Sequence, residues 1–148
     1  MTTVAWDGNT LVADSLAVDN WGLVSRADKI LEGSDFLLGI AGNHGMILAW
    51  WRKVQSLPAS SIINHGYTDY ELEKNNPSMI LVTAHKVYKL DGPVFIEVEA
   101  PFTAIGSGRD FALAAMHLGK TAKEAVQIAA VFDNNTDDRV QVHMRPTP

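Results

Sequence analysis

Near the start of the chain, Met1 is followed by a pair of threonines, Thr2 and Thr3. If Met1 is removed, Thr2 becomes an amino-terminal threonine. A free α-amino group beside a β-hydroxyl supplies a nucleophile and its own base in one residue. The α-amino pKa of about 7.7–8.0 already lies close to neutrality, so this amine can accept the hydroxyl proton. Such a site also needs a nearby positive charge to keep the amine unprotonated and to stabilise the alkoxide. It needs backbone N–H donors where a tetrahedral oxyanion would form. The β-methyl of threonine restricts χ1, which helps aim the oxygen.

Candidates for each part are present. Asp14 ends a run that can pair with the Thr2 segment, and Lys29 lies at the end of the next strand-like run. An Asp14–Lys29 pair would hold an ammonium beside Thr2. Gly42 follows an apolar run and opens a helix, so its N–H suits an anion. Ser107 sits between Gly106 and Gly108 at another helix start, and Asp133 and Thr136 share a polar break. Each also has a plain structural reading. Asp14 can merely end a strand, Lys29 can be a solvated surface residue, and the segments around Ser107 and Asp133 can be ordinary turns. The ordered combination is what draws attention.

The elements that must position these residues are readable in outline. Residues 2–6 and 10–14 read as two strands joined at Asp7 and Gly8, a strong hairpin signal. A short strand is expected within residues 23–30. Residues 36–41 form a continuous apolar run suited to a strand buried on both faces. Asn43 then caps a helix reaching about Ser56, with Met46, Ile47, Trp50, Val54 and Leu57 on one face. Trp50 and Trp51 would point ~100° apart, so both cannot face the same core. Pro58 ends that helix. Residues 59–77 are polar and irregular, with a short helix expected around 67–74. Residues 79–83, 86–90 and 94–98 read as strands, and residues 102–105 lead to the Gly106 turn. A helix over 109–118 presents Phe111, Ala114, Ala115 and Leu118, and Gly119 is its cap. Thr121 and Glu124 form a capping-box pattern opening a second helix that carries Ala125, Ile128, Ala129 and Phe132. Residues 140–144 alternate as a last strand. Strands arriving as neighbours favour antiparallel sheets over a doubly wound parallel one.

Bulk properties narrow the classes. A chain of 148 residues points to one domain spanning 1–148. The net charge of −5 comes without a basic block, which argues against nucleic acid as a partner. Apolar runs fall far short of the ~18–20 residues of a membrane span, and no secretory signal is visible. The absence of cysteine removes disulfides and thiolate nucleophiles together and suits a cytoplasmic setting. The five histidines show no metal-binding spacing, so neither metal nor cofactor is expected.

Taken together, the pieces resemble proteasome β-type subunits, closer to the bacterial HslV branch. The resemblance rests on Thr2, Thr3 and Val4 with Asp7 and Gly8; on the run from Leu11 to Ser15 with Ala17; and on Asp28, Lys29 and Ile30. It continues through Gly39 to Gly42, then Ala104 to Gly108 before an alanine-rich helix, then Glu124 to Val126 leading to Asp133 and Thr136. These occur in family order along nearly the whole chain. The resemblance implies an α+β fold of four αββα layers, the N-terminal nucleophile hydrolase sandwich. It implies threonine-type endopeptidase activity, with Thr2 as nucleophile and its amine as base. Asp14 and Lys29 become the supporting pair, and Gly42 the oxyanion donor. Ser107, Asp133 and Thr136 surround the amine.

The chain departs from the family at Phe132, where arginine is usual, and at Asp137 and Asp138, where glycine is usual. Extra carboxylates there would raise the amine pKa. Residues 59–77 replace a longer helix. The implied partners are unfolded polypeptide, further copies in a homo-oligomeric ring and an ATP-dependent unfoldase. The competing expectations are a catalytically inactive assembly or scaffold subunit and an amidase for small molecules.

Overall fold

The hairpin at the start of the chain is built around one aspartate. In this computed structural model, which describes residues 2–18, 21–22, 24–65 and 77–148, β1 (Thr3–Trp6) and β2 (Thr10–Ala13) pair with Val4 opposite Ala13 and Trp6 opposite Leu11. Asp7 Oδ1 accepts the N–H groups of Asn9 and Thr10 at 2.9 and 2.8 Å, closing the turn. Its Oδ2 accepts the N–H of Ala122 at 2.8 Å, and so ties the hairpin to a helix start far along the chain. Burial opposes the charge of Asp7, but these hydrogen bonds outweigh it and hold the carboxyl below its ordinary value.

Two antiparallel sheets carry the structure. The first runs β10 (Thr103–Gly106), β1, β2, β11 (Gln141–Met144). The second runs β5 (Ile30–Glu32), β6 (Leu37–Ala41), β7 (Ser78–Val82), β8 (Val87–Asp91), β9 (Val94–Glu97). A short ribbon of β3 (Leu16–Val18) and β4 (Val24–Arg26) projects from the end of β2. Helices α1 (His44–Val54) and α2 (Ala59–His65) follow β6; α3 (Arg109–His117) and α4 (Ala122–Phe132) follow β10.

The layering follows from which faces are apolar. Val4, Trp6, Leu11, Leu37, Ile80 and Ile105 pack between the two sheets. Alternate residues of the first sheet, Ala5, Val12 and Ala104, face Ala112, Ala115, Ala122, Ala125 and Val126 of α3 and α4. Leu38, Ile40, Met79 and Leu81 of the second sheet face Met46, Ile47, Trp50 and Ile62 of α1 and α2. The result is the expected αββα sandwich. Small residues under α3 and α4 bring those helices close to the sheet, whereas larger ones fill the α1 layer.

The helix starts are set by local chemistry. Asn43 Oδ1 accepts the N–H of Met46 at 2.8 Å and caps α1. Thr121 and Glu124 make the full capping box at α4. Gly119, at φ +90°, closes α3, and the Lys120 N–H donates to Ala115 O.

Several local expectations are corrected. Residues 23–30 do not form one strand: β4 and β5 are separate, with an irregular crossing at residues 27–29 between ribbon and second sheet. A helix lies at Ala59–His65, where polar Ser60, Ser61 and Asn64 disguised it; the one expected around 67–74 falls outside the described residues. In α3 the buried face is Ala112, Ala115 and Met116, not the one containing Phe111 and Leu118. Phe111 instead stacks on Phe132 of α4 at 5.3 Å between ring centroids, outside the core. Leu57 is also outside, while Trp50 is buried and Trp51 packs at the rim of its cluster.

Candidate active site

Strand alternation decides where the two threonines look. Val4 and Trp6 point between the sheets, and Ala5 points at the helices. By the same period, Thr2 faces the space between sheets and Thr3 faces α3 and α4. Both are fully buried. The Thr2 hydroxyl has no hydrogen-bond partner among the described residues.

Asp14 stands one residue past β2, level with Thr3. Its N–H donates to Thr3 O at 3.2 Å, and the Thr3 N–H donates to Asp14 Oδ1 at 3.0 Å. From the other sheet, Lys29 approaches just ahead of β5. Its Nζ lies 3.1 Å from each oxygen of Asp14. Backbone N–H groups of Leu16 and Asp137 also donate to Asp14 Oδ2, at 3.1 and 3.4 Å. The Asp14 carboxylate is therefore surrounded by donors, as a fully buried charge must be. Burial pushes the Lys29 ammonium below its ordinary pKa; the charge and hydrogen bonds of Asp14, with smaller contributions from Asp137 and Asp133, partly offset that effect.

A second cluster forms on the Thr3 side. Ser107 Oγ and Thr136 Oγ1 both donate to Asp133 Oδ2, at 2.6 and 2.7 Å. Thr136 has only one hydroxyl hydrogen, and the carboxylate takes it. Thr3 Oγ1, 2.6 Å from Thr136 Oγ1, is then the donor in that contact. Ser107 Oγ also lies 3.5 Å from the Thr2 carbonyl oxygen. Burial works against the Asp133 charge, yet the hydrogen bonds from Ser107, Thr136 and the Asn135 N–H keep its carboxyl below the usual value.

Gly42 directly follows β6, ahead of the Asn43 cap. The Ile40 N–H donates to Lys29 O at 3.0 Å, so Gly42 stands two residues beyond the point where β6 meets Lys29. Next to this end of the sheets lies an open cavity of about 650 Å³, lined by Ser15, Arg26, Asp28, Leu31, His44 and Trp51 among others. Ser15 and Asp28 are chain neighbours of Asp14 and Lys29.

The structure thus joins Asp14 to Lys29, and Ser107 to Asp133 and Thr136, with Thr2 and Thr3 between the two groups. The contact of Thr136 is with Thr3, which the sequence places within the first strand. Asp137, read as an extra charge, has partners of its own: Arg139 Nη2 lies 2.7 Å from Oδ2, and Oδ1 accepts the Ser15 N–H at 2.9 Å. Gln141 was not singled out at all. It is one polar residue in the alternation of β11, too faint a signal to read. Its side chain nevertheless contacts Asp14, Ser15, Ala27 and Lys29. Among the described residues there is no cluster of three or more metal-ligating side chains. Nor is there a helix long and apolar enough to cross a membrane.

No protein-family model and no curated protein sequence matches this chain. Solved structures do. Eukaryotic HslV from Trypanosoma brucei superposes with a TM-score of 0.74 at 23% identity, covering 98% of both chains. BPH of Thiobacillus denitrificans in complex with epoxomicin gives 0.75 at 21% identity over 99% of both chains. The same Thiobacillus denitrificans protein without that compound gives 0.72 at 20% identity, over 99% of this chain and 98% of the other. The chain has the fold of these HslV- and proteasome-like structures.

Proposed function

We propose that this chain is a threonine-type endopeptidase. Its nucleophile would be Thr2, made amino-terminal by removal of Met1. It would act on unfolded polypeptide within a homo-oligomeric cytoplasmic ring fed by an ATP-dependent unfoldase. The observation that carries the reading is the position of the Asp14 carboxylate. One oxygen, Oδ1, takes both the Thr3 N–H and the Lys29 ammonium, beside a buried Thr2 hydroxyl. A likeness in fold to HslV supports it.

In the proposed reaction the Thr2 α-amine takes the Oγ1 proton as that oxygen attacks the scissile carbonyl carbon. The Lys29 charge disfavours protonation of the amine and steadies the alkoxide. The Gly42 N–H meets the oxyanion. The carbon–nitrogen bond then breaks, and the departing amine takes the proton from the Thr2 ammonium. An ester on Thr2 remains. Water attacks it with the α-amine again as base, releasing the acid and restoring the hydroxyl. The cavity beside Ser15 and Asp28 would accept a substrate side chain, its wall mixing Leu31 and Trp51 with Arg26 and His44. Exposed Val18 and Val24 on the ribbon support a neighbouring subunit on that face.

The test uses intact mass and an epoxyketone peptide, whose two electrophilic carbons require a hydroxyl and a free α-amine together. The expected result is loss of Met1 and one adduct on Thr2, absent in Thr2→Ala. A folded oligomer lacking Met1 that forms no adduct would overturn the proposal in favour of an inactive scaffold subunit.

A further inference from the structure

We infer that Gln141 is a positioning residue that fixes where the Lys29 ammonium stands relative to Asp14 and Thr2. The inference rests on the proposed chemistry and assigns a role to a side chain that does not touch the substrate.

The crossing at residues 27–29 lies between β4 and β5; the Ala27 N–H still reaches Ser15 O and the Lys29 carbonyl still accepts the Ile40 N–H. The Ala27 carbonyl and the Lys29 N–H belong to buried residues too and need partners of their own. Gln141, at the start of β11 and opposite Ala13, supplies them. Its Oε1 accepts the Lys29 N–H at 3.0 Å. Its Nε2 donates to Ala27 O at 2.8 Å and, on the other side, to Asp14 O at 3.1 Å, with Ser15 Oγ at 3.2 Å. One amide therefore spans the two segments that carry Asp14 and Lys29.

The pattern is specific to a primary amide of this length. A donor faces the oxygen and two carbonyls face the nitrogen, so a flipped amide would oppose like to like at both ends. Glutamate would set a carboxylate against two carbonyl oxygens. Methionine has the length but none of the hydrogen bonds. Asn is shorter by one methylene and spans less. The Lys29 backbone is held at its N–H by Gln141 and at its carbonyl by the Ile40 N–H. The long lysine side chain thus starts from a fixed root, and the ammonium reaches Asp14 at 3.1 Å. A displacement on the order of an ångström at such a group can cost up to about a hundredfold in rate.

The experiment compares Gln141→Met and Gln141→Glu with the unmutated, Met1-processed oligomer. Inactivation by the epoxyketone peptide is measured as its maximal rate constant and its half-saturating concentration, together with folded fraction by circular dichroism. The expected result is a maximal rate lower by about ten- to a hundredfold, with half-saturation changed by less than about twofold, at a temperature where each protein is fully folded. A role in folding alone would lower the melting temperature and leave the maximal rate of the folded protein unchanged; that result would overturn the inference. If Gln141→Met does not fold, Gln141→Glu, of equal size, decides by the same criterion. Should the unmutated protein form no adduct, the proposed chemistry fails and this inference with it. An adduct at equal rates in all three proteins removes the inference alone.

Discussion

The ammonium of Lys29 lies 3.1 Å from both carboxylate oxygens of Asp14, and the two residues adjoin strands of different sheets, β2 and β5. Both are at most 2% exposed, so neither charge is relieved by water. Asp14 receives three further backbone N–H groups, so its remaining lone pairs are occupied as well. An ion pair so enclosed is a weak source of net stability, because desolvation consumes most of the attraction. Its placement across the sheet interface, next to the start of β1, is what gives it a use.

Breaking that pair should therefore be costly on one side only. Lys29→Met leaves the Asp14 charge buried and unpaired, and should destabilise by about 3–5 kcal/mol in urea unfolding. Adding Asp14→Asn should recover much of that loss while leaving adduct formation on Thr2 abolished. Recovery of both together would mean that the pair serves only the fold. The linkage also has a sign. Because the folded pKa of Lys29 is depressed, the unfolded chain binds the proton more tightly. The contribution of this group to stability should rise with pH between the folded value and about 10.5, and Lys29→Met should remove that slope.

The Thr3 hydroxyl offers a narrower test. Thr3→Val keeps the shape and the strand preference but deletes the donor to Thr136. Thr136 then loses its incoming hydrogen bond while keeping the one to Asp133. The expected loss is about 1–3 kcal/mol, read from the unfolding midpoint in urea. Thr2→Val removes a hydroxyl without a partner among the described residues, so it should cost less stability, or none, while abolishing the adduct. Opposite ranking of the two stabilities would contradict the assigned faces of β1.

These contrasts also show what the sequence could convey. The hairpin, the caps at Asn43 and Thr121 and the buried run through Ile40 are local, so residue type and spacing revealed them. The pairing of Asp14 with Lys29 followed from the order of pieces along a family pattern. The helix faces of α3 and α4 were legible only in part, because alanine is ambiguous. Ala115, Ala125 and Ala129 were read and are buried, but Ala112 and Ala122, fully buried too, carry little apolar weight beside Phe111, Leu118 and Phe132, which lie outside. Gln141 was invisible for a different reason. Its partners are backbone groups at residues 14, 27 and 29, and a backbone group leaves no mark in the sequence.

Two glycines beside Ser107 should resist substitution for reasons that can be separated. At Gly106, φ is +96° and an added Cβ would collide with the Thr2 carbonyl. At Gly108 φ is ordinary, but a Cβ would run into Thr3 Oγ1. Gly119 has φ +90° and open space around it. Gly119→Ala should cost only the backbone strain, about 1–2 kcal/mol, with adduct formation unchanged. Gly108→Ala should cost about 1–3 kcal/mol through overpacking and slow the adduct. Gly106→Ala combines both penalties and should be the least stable of the three. Thermal melting and adduct rates for this set would expose any other order.

The hydroxyls around Asp133 predict an acid-side signature. Burial raises the pKa of this carboxyl, and the donors Ser107, Thr136 and the Asn135 N–H lower it more, leaving it below the ordinary carboxylate value. A carboxyl with a depressed folded pKa adds stability above its unfolded value, and loses it as pH falls through the folded one. Ser107→Ala removes the 2.6 Å donor and brings the folded pKa back toward the ordinary value. The variant should thus be less stable than the unmutated protein at neutral pH. The gap should narrow as pH falls below about 4, where the unfolded carboxyl is already protonated. Urea midpoints taken across that range measure the gap directly. A gap independent of pH would show that Ser107 contributes packing alone, and that its hydrogen bond does not stabilise the charged form of Asp133.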